Sequence, residues 1–380
     1  MRVFVTGGTG LLGNTVIREL NERGDSVLAL VRSEPDAEVF AGLDVELVHS
    51  PLVPPTSPSD GEVNGEVNGE VNGEVNGEVN GEVNGEPAGE SAADPPDNRD
   101  DPIDQAIAEC DAVVHAAAMI HLGWHQMERS MQVNREGTRR IVQSCVRHAK
   151  KLAAIGTVNA IALGSPHTIA DETTPLEHAG GQIPCAYVQS KRASVDVIRQ
   201  AIPAGLKTVI LHPGFMLGPW DWKPSSGRMM LEVGSGWKPI APSGGCSLCD
   251  SRDVAAGVIA ALDADCPNGR EYILAGHNWS YEKLWTEMAK RMGTRPPIRA
   301  AGPGIEYLAG LVGDAWGRVT GREPDFNSAG VRMSSQYHWY SSRRAETELG
   351  YRIRDAQETL DAAAEWIRDR FVLPSKAVAS

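Results

Sequence analysis

The chain has 380 residues, 41% hydrophobic and 23% charged, which is enough for one large domain or two smaller ones with a core. Its formal net charge of −14 argues against nucleic acid or an anionic membrane as a partner, although −11 of it falls between Val53 and Asp100. The six scattered cysteines predict a reduced, cytoplasmic protein, and we expect neither a signal peptide nor a membrane span.

Short apolar strands alternate with amphipathic helices over the first two thirds of the chain. Strands are predicted at MRVFVT, DSVLALVRS, DVELVHSPL, DAVVHAAA, KLAAIGTV and KTVILHP, and the helices between them include one from Met127 to about His148. This alternation predicts an α/β fold of the Rossmann type, a doubly wound parallel sheet covered by helices on both faces.

The last third is different, since it is rich in Gly, Pro, Trp and Met and then becomes helical. We predict a dinucleotide-binding domain of residues 1–212 plus about 250–275. A small, mostly helical substrate cap would comprise about 213–249 and 276–380.

Residues 61–86 contain six copies of the tetrapeptide GEVN and the start of a seventh. Gly and Asn at every fourth position weaken a helix, and one Val in four buries too little apolar surface to offset the entropy of ordering. We therefore predict that 53–100 is a disordered acidic insertion. A tether for a partner and a weak cation site along the Glu row are the alternatives.

A glycine-rich turn, VTGGTGLLG, joins the first strand to the first helix. Glycines let the backbone turn tightly and approach a pyrophosphate, whose charge the free N–H groups of a helix N-terminus bind. The turn predicts a dinucleotide site with these contacts: Gly7, Thr9, Gly10, Leu11, Leu12 and Gly13.

The end of the second strand bears on which dinucleotide binds. An acid there holds the ribose 2′-hydroxyl of NAD, whereas a nearby Arg accommodates the 2′-phosphate of NADP. Arg32 and Ser33 occupy this place. We expect NADP(H) to be favoured, with NAD(H) as the alternative; Arg32 could instead stack on the adenine or face water.

Tyr187 and Lys191 lie four residues apart, on one face of a predicted helix. A phenol has an ordinary pKa near 10, so it becomes an acid–base catalyst near neutrality only beside a cation that stabilises the phenolate. Lys191 would supply that cation. An ordinary surface pair on an amphipathic helix is the alternative.

At this point the sequence resembles the extended short-chain dehydrogenase/reductases, within the NAD-dependent epimerase/dehydratase superfamily and nearest to its dihydroflavonol-reductase-like branch. The matching segments are TGGTGLLG, DAVVHAAA, VNREGTRRIV, GTVNAIALG, YVQSK, HPGFMLGPWD, SRDVAAGVIAAL and ELGYRIRDAQETL. They occur in family order and span nearly the whole chain except the repeat.

The resemblance implies roles for individual residues. Tyr187 would be the general acid or base, Lys191 would lower its pKa and hold the nicotinamide ribose, Thr157 would bind the substrate oxygen, and Asn134 would complete a proton relay. Further cofactor contacts would come from the following residues: Leu52, His115, Ala116, Ala117, Pro213, Gly214 and Phe215. Relatives often dimerise through the helices that here span about 127–148 and 187–201, so a homodimer is also implied.

Three side chains are candidates for substrate contact: His121, Trp220 and Arg228. The Trp and Met residues of the cap, Trp220 among them, suggest an apolar or ring-shaped small molecule, although each is also a candidate for cap packing. Arg228 could instead meet a phosphate or be a solvated charge. We expect no metal: Cys246 and Cys249 lie three apart in a predicted strand, and His121 and His125 have no evident third ligand.

The sequence therefore predicts an NAD(P)-dependent oxidoreductase that interconverts a carbonyl and an alcohol on a small, moderately apolar substrate. A nucleotide-sugar epimerase with tightly bound NAD is the first alternative. A non-catalytic NADP sensor is the second, although such relatives generally lack the tyrosine–lysine pair.

Overall fold

A computed structural model describes residues 1–54, 100–321, 323–324 and 327–372. The predicted insertion at 53–100 lies outside the described residues for nearly its whole length. Within the described ranges, no helix is both long enough and apolar enough to cross a membrane.

The described residues form thirteen strands. They are β1 (Arg2–Thr6), β2 (Ser26–Val31), β3 (Val45–His49), β4 (Ala112–His115), β5 (Lys151–Ile155), β6 (Lys207–Pro213), β7 (Phe215–Leu217), β8 (Ile240–Ala241), β9 (Gly245–Asp250), β10 (Arg270–Leu274), β11 (His277–Ser280), β12 (Arg299–Ala300) and β13 (Tyr337–His338).

Twelve α-helices accompany them in the same ranges. They are α1 (Leu11–Glu22), α2 (Pro102–Glu109), α3 (Met127–Ser130), α4 (Gly137–Arg147), α5 (Ala186–Ala201), α6 (Gly227–Gly234), α7 (Ser251–Asp263), α8 (Tyr281–Met292), α9 (Pro303–Thr320), α10 (Ser328–Ser334), α11 (Arg343–Leu349) and α12 (Ala356–Ile367). A π-helical turn, Met131–Glu136, joins α3 to α4, so the long helix expected from Met127 is helical but locally wider and underwound in its middle.

Seven strands form one parallel sheet in the order β10-β6-β5-β4-β1-β2-β3. This order changes direction between β1 and β4, which is where a doubly wound fold places its ligand. The Rossmann-type prediction is therefore confirmed.

The central strand β1 shows why the sheet needs helices on both faces. Val3 and Val5 pack against α1 and α7 in one core cluster, whereas Phe4 between them packs in another cluster with Ile103 of α2. Alternate side chains of a strand point to opposite faces, and all three are fully buried. Truncating Phe4 to Ala would cost about 3–5 kcal/mol.

A second, smaller sheet lies beside the first, with β9 pairing with β7, β11 and β13. A separate core cluster packs it against α6, α8 and α12 and contains Met230 and Trp279. Cys246 and Cys249 lie on β9 as free, buried thiols. Burial raises the pKa of both thiols, so neither is a ready nucleophile.

Candidate active site

The turn between β1 and α1 leaves room for a ligand only because it is built of glycines. Gly7 has a φ of +76°, and a Cβ there would lie 2.7 Å from the backbone nitrogen of Ala117. A Cβ on Gly13 would overlap the carbonyl of Gly7. The backbone is thus drawn close to β4, as a turn that admits a pyrophosphate must be.

The other residues of this turn offer backbone groups. Gly10 precedes α1 with no side chain capping the helix, and Thr9 is half-buried beside it. Leu11 and Leu12 bury their side chains in the protein. What they can present to an anion is the N–H groups of the first helical turn.

Arg32 and Ser33 follow β2 directly and are both exposed. The next residue, Glu34, accepts a hydrogen bond from the ring of His49 at the end of β3, at 3.1 Å. The acid nearest to this strand end is thus engaged by an imidazole, while the two predicted 2′-phosphate donors stay accessible. Leu52 is buried against Gly137 at the start of α4.

Tyr187 lies in the first turn of α5, where its N–H donates to the carbonyl of His121 at 3.2 Å. Its side chain lies close to that of Thr157, which follows β5. Burial raises the pKa of the Tyr187 phenol, and the neighbouring Thr157 side chain opposes this rise. The two side chains therefore meet at the carboxyl edge of the sheet.

Lys191 lies one turn further along α5, on the same face. It is buried, and its Nζ donates to the carbonyl of Ile155, the last residue of β5, at 2.7 Å. Burial lowers the pKa of Lys191 to about 8, because the surroundings solvate the ammonium poorly. The ammonium is thus held at the end of β5. Thr157 follows Ile155 by two residues in the chain.

Asn134 lies in the π-helical turn and joins two elements of the site. Its side chain accepts from the N–H of Met119 at 2.7 Å, and it donates to the carbonyl of Met119 and to Ser190 Oγ, both at 2.9 Å. Both amide hydrogens are used in this way. Asn134 therefore fixes the segment after β4 against α5.

His115 is a predicted cofactor contact whose side chain is turned into the protein. Its Nδ1 lies 2.8 Å from the hydroxyl of Thr6 and its Nε2 lies 3.0 Å from that of Thr138. Burial lowers the pKa of His115 to about 3, so the ring is neutral. The wall next to the glycine turn is instead the backbone of Ala116 and Ala117.

The segment after β6 is tightly packed. Pro213 ends that strand, Phe215 begins β7, and a Cβ on Gly214 between them would lie 2.5 Å from the carbonyl of Ser247. His212, just before, is buried between the carbonyl of Thr157 and the carboxylate of Glu271. The contact between the His212 ring and the carbonyl of Thr157 holds the backbone of Thr157 in position.

The three substrate candidates have different surroundings. His121 Nε2 lies 2.9 Å from a carboxylate oxygen of Glu323. The ring of Trp220 faces the guanidinium of Arg18, 4.8 Å from its centroid, so Trp220 packs against α1. Arg228 lies half-buried in the first turn of α6.

Glu323 is a site residue that no sequence motif signals. Its buried carboxylate also accepts from the N–H groups of Trp124 at 2.9 Å and His125 at 3.0 Å. Although burial favours the neutral carboxyl, these N–H groups and the His121 ring hold the pKa of Glu323 below its usual value. Glu323 thereby holds the segment 121–125 in place. The carbonyl of His121 in this segment accepts a hydrogen bond from the N–H of Tyr187. Within the described ranges, no group of three or more His, Cys, Asp and Glu side chains is placed to bind a metal.

Comparisons with known proteins bear on the fold and on the family. The NAD-binding family described as Male sterility protein matches residues 99–236. A putative dihydroflavonol 4-reductase of Synechocystis is 26% identical over 96% of this chain and 94% of its own length. Sterol demethylase protein B of Methylococcus capsulatus is 25% identical over 97% and 99%. The crystal structure of gox2253 superposes with a TM-score of 0.73 at 27% identity, covering 97% of this chain and 98% of that one.

Over nearly its whole length the chain is therefore similar to extended short-chain dehydrogenase/reductases, as its motifs had indicated, and the family model that it matches is that of an NAD-binding family.

Proposed function

We propose that the protein is an NADP(H)-dependent oxidoreductase that interconverts a carbonyl and an alcohol on a small, moderately apolar molecule. The observation that carries this proposal is the proximity of the Tyr187 and Thr157 side chains, with the buried ammonium of Lys191 one helical turn along α5. The names of the two relatives, a dihydroflavonol reductase and a sterol demethylase protein, favour a ring-shaped substrate.

Reduction of a carbonyl needs a hydride at carbon and a proton at oxygen. The nicotinamide cofactor, when bound, supplies the hydride. Tyr187 would donate the proton from its phenol to the substrate oxygen, and Thr157 would hold that oxygen in place. The phenolate left on Tyr187 is the charge that the ammonium of Lys191 stabilises, and solvent then returns the proton.

The glycine turn would hold the pyrophosphate, and Arg32 with Ser33 would hold a 2′-phosphate. The roles of the remaining predicted contacts follow from where they lie. Ala116 and Ala117 would offer backbone beside the glycine turn, and Pro213 to Phe215 would border the nicotinamide end. A relay through Asn134 remains a prediction; its bonds to Met119 and Ser190 favour a positioning role.

The cofactor assignment is tested by fluorescence titration of the purified chain with NADPH and with NADH. We expect NADPH to bind more tightly, and Arg32→Ala to weaken NADPH binding about tenfold while leaving NADH binding unchanged. Arg352→Ala, at another exposed arginine, is the matched control. A clear preference of the parent chain for NADH would contradict the assignment.

The reaction is tested by following consumption of the reduced cofactor with a panel of apolar cyclic ketones. Net consumption supports an oxidoreductase. Interconversion of a nucleotide sugar without net consumption would identify the epimerase alternative. Cofactor binding without any turnover would favour a sensor.

A further inference from the structure

Helix α9 is unusual because it turns large apolar side chains toward solvent. Fifteen large apolar side chains are exposed in the described part of the chain, and seven of them lie on this one helix. We call these seven the α9 face: Ile305, Tyr307, Leu308, Leu311, Val312, Trp316 and Val319. Their exposed fractions run from 38% to 84%, which is far more than isolated surface residues would produce.

The opposite side of α9 explains this orientation. Its buried residues are Gly310, Gly313 and Gly317, and a Cβ on Gly310 would lie 3.1 Å from the backbone of Ser328 in α10. The helix packs inward through glycines and leaves its large residues outside, the reverse of a helix whose apolar stripe faces a core.

The acids of α9 are also turned away from the α9 face. Glu306 accepts a hydrogen bond from the N–H of Ser243 at 3.1 Å, and Asp314 accepts one from the N–H of Ser328 at 2.9 Å. Both are only partly exposed. No other acid occurs between Arg295 and Thr320.

Arginines flank α9 along the chain. Arg295 and Arg299 precede the helix and Arg318 lies in its last turn; all three are exposed and have no ion-pair partner among the described residues. Ile298, between the first two, is 69% exposed. An apolar surface with two aromatic residues and a cationic rim is the composition of a helix that lies in a membrane interface.

We propose that the α9 face docks the protein on the surface of a bilayer that contains anionic lipids. The apolar side chains would enter the boundary between headgroups and acyl chains, and the three arginines would contact the phosphates. An 18-residue helix would then lie along the surface for about 27 Å.

The charge pattern favours a bilayer over a second copy of the chain. A twofold contact would bring the α9 face against itself, so the arginines of both copies would meet without an acid to pair them. The net charge of −14 had argued against an anionic membrane. Most of it lies in the 53–100 segment, which carries −11 and leaves only −3 for the rest of the chain.

The docked helix would lie next to the candidate site. Ser328, which α9 contacts through Asp314, accepts a hydrogen bond from the indole of Trp124 at 2.8 Å. Trp124 belongs to the segment that Glu323 clamps and that contacts Tyr187. The docking proposal itself does not rest on the proposed reaction, since its test needs no turnover.

The test is flotation of the full chain with vesicles of phosphatidylcholine alone and of phosphatidylcholine mixed with phosphatidylglycerol, at low and high salt. Two variants carry the test. Leu308→Glu/Val312→Glu removes apolar contact, and Arg295→Ala/Arg299→Ala/Arg318→Ala removes the cations. The control, Ile169→Glu, changes an apolar residue of similar exposure elsewhere. Because all these side chains are exposed, the variants should fold, which circular dichroism checks.

We expect the parent chain and Ile169→Glu to float with the anionic vesicles, and less so at high salt. The double variant should bind at least about tenfold more weakly, and each arginine should contribute about fivefold on anionic vesicles only. Failure of the parent chain to float with either vesicle would overturn the proposal. So would a dimer in solution, measured by sedimentation, that the double variant converts to a monomer, because a second copy would then cover this face.

Discussion

The guanidinium of Arg140 donates two hydrogen bonds to the carboxylate of Asp101: Nη2 lies 2.6 Å from Oδ1 and Nε lies 2.9 Å from Oδ2. The same group donates to the carbonyls of Pro51 and Leu52, at 2.8 and 3.1 Å. The chain that leaves the sheet after β3 and the chain that enters α2 are thus held together by one side chain of α4. This junction therefore joins the two ends of the described chain on either side of residues 55–99.

Replacement of residues 55–99 by a short Gly-Ser linker should therefore leave folding intact. The expected free energy of unfolding is unchanged or up to about 2 kcal/mol higher, because a shorter loop costs less closure entropy. NADPH should bind slightly more tightly at low salt, since acidic charge is removed. Urea unfolding and cofactor titration measure both. Loss of folding or of cofactor binding would show that the segment is needed.

Arg140→Ala should be far more damaging. It leaves the buried carboxylate of Asp101 with a charge that no cation pairs, at a cost of about 3 kcal/mol. The neighbouring Arg139→Ala is the control, because its ion pair with Glu136 is exposed and should contribute under about 1 kcal/mol. Equal unfolding midpoints for the two variants would contradict the role given to Arg140.

Gly13→Ala should abolish tight dinucleotide binding. The added Cβ would overlap the carbonyl of Gly7, so the turn must open. We expect NADPH to bind at least about tenfold more weakly in a titration. Gly236→Ala is the control, since a Cβ there meets nothing within 4 Å. Unchanged affinity in Gly13→Ala would remove the glycine turn from the cofactor site.

His115 should make the fold sensitive to acid. Its pKa is about 3 in the folded chain against an ordinary 6.5, so the unfolded chain alone binds a proton between these values. Stability is therefore lost as the pH falls from about 6.5 toward about 3. His115→Asn should show a shallower decline of the urea midpoint over this window, whereas His167→Asn, at an exposed ring, should follow the parent chain. A parallel decline in His115→Asn would contradict this assignment.

The sequence predicted what depends on local periodicity. Short apolar runs between helical segments predicted β1 and its neighbours, and helical spacing placed Tyr187 and Lys191 on one face of α5. The contact of Glu323 with His121 joins residues 202 apart in the chain, and no spacing rule reaches that far. The exposure of the α9 face could not be predicted from the sequence either. The apolar pattern of this segment predicts a helix, but it does not show that the glycines face inward.

His115 and Trp220 illustrate a second limit. A motif locates a residue on an element, but the direction of the side chain depends on neighbours from distant segments. His115 is turned between Thr6 and Thr138, and Trp220 is drawn to Arg18 of α1. Their predicted contacts with cofactor and substrate therefore remain predictions.

The most direct measurement compares Tyr187→Phe with the parent chain, using the ketone that supports consumption of NADPH. The account predicts that kcat falls by about a hundredfold or more, because the proton donor is lost, while the Kd for NADPH stays the same. Tyr337→Phe, which removes a phenol elsewhere, should leave both values unchanged. Turnover by Tyr187→Phe at the parent rate would contradict the claim that Tyr187 transfers the proton.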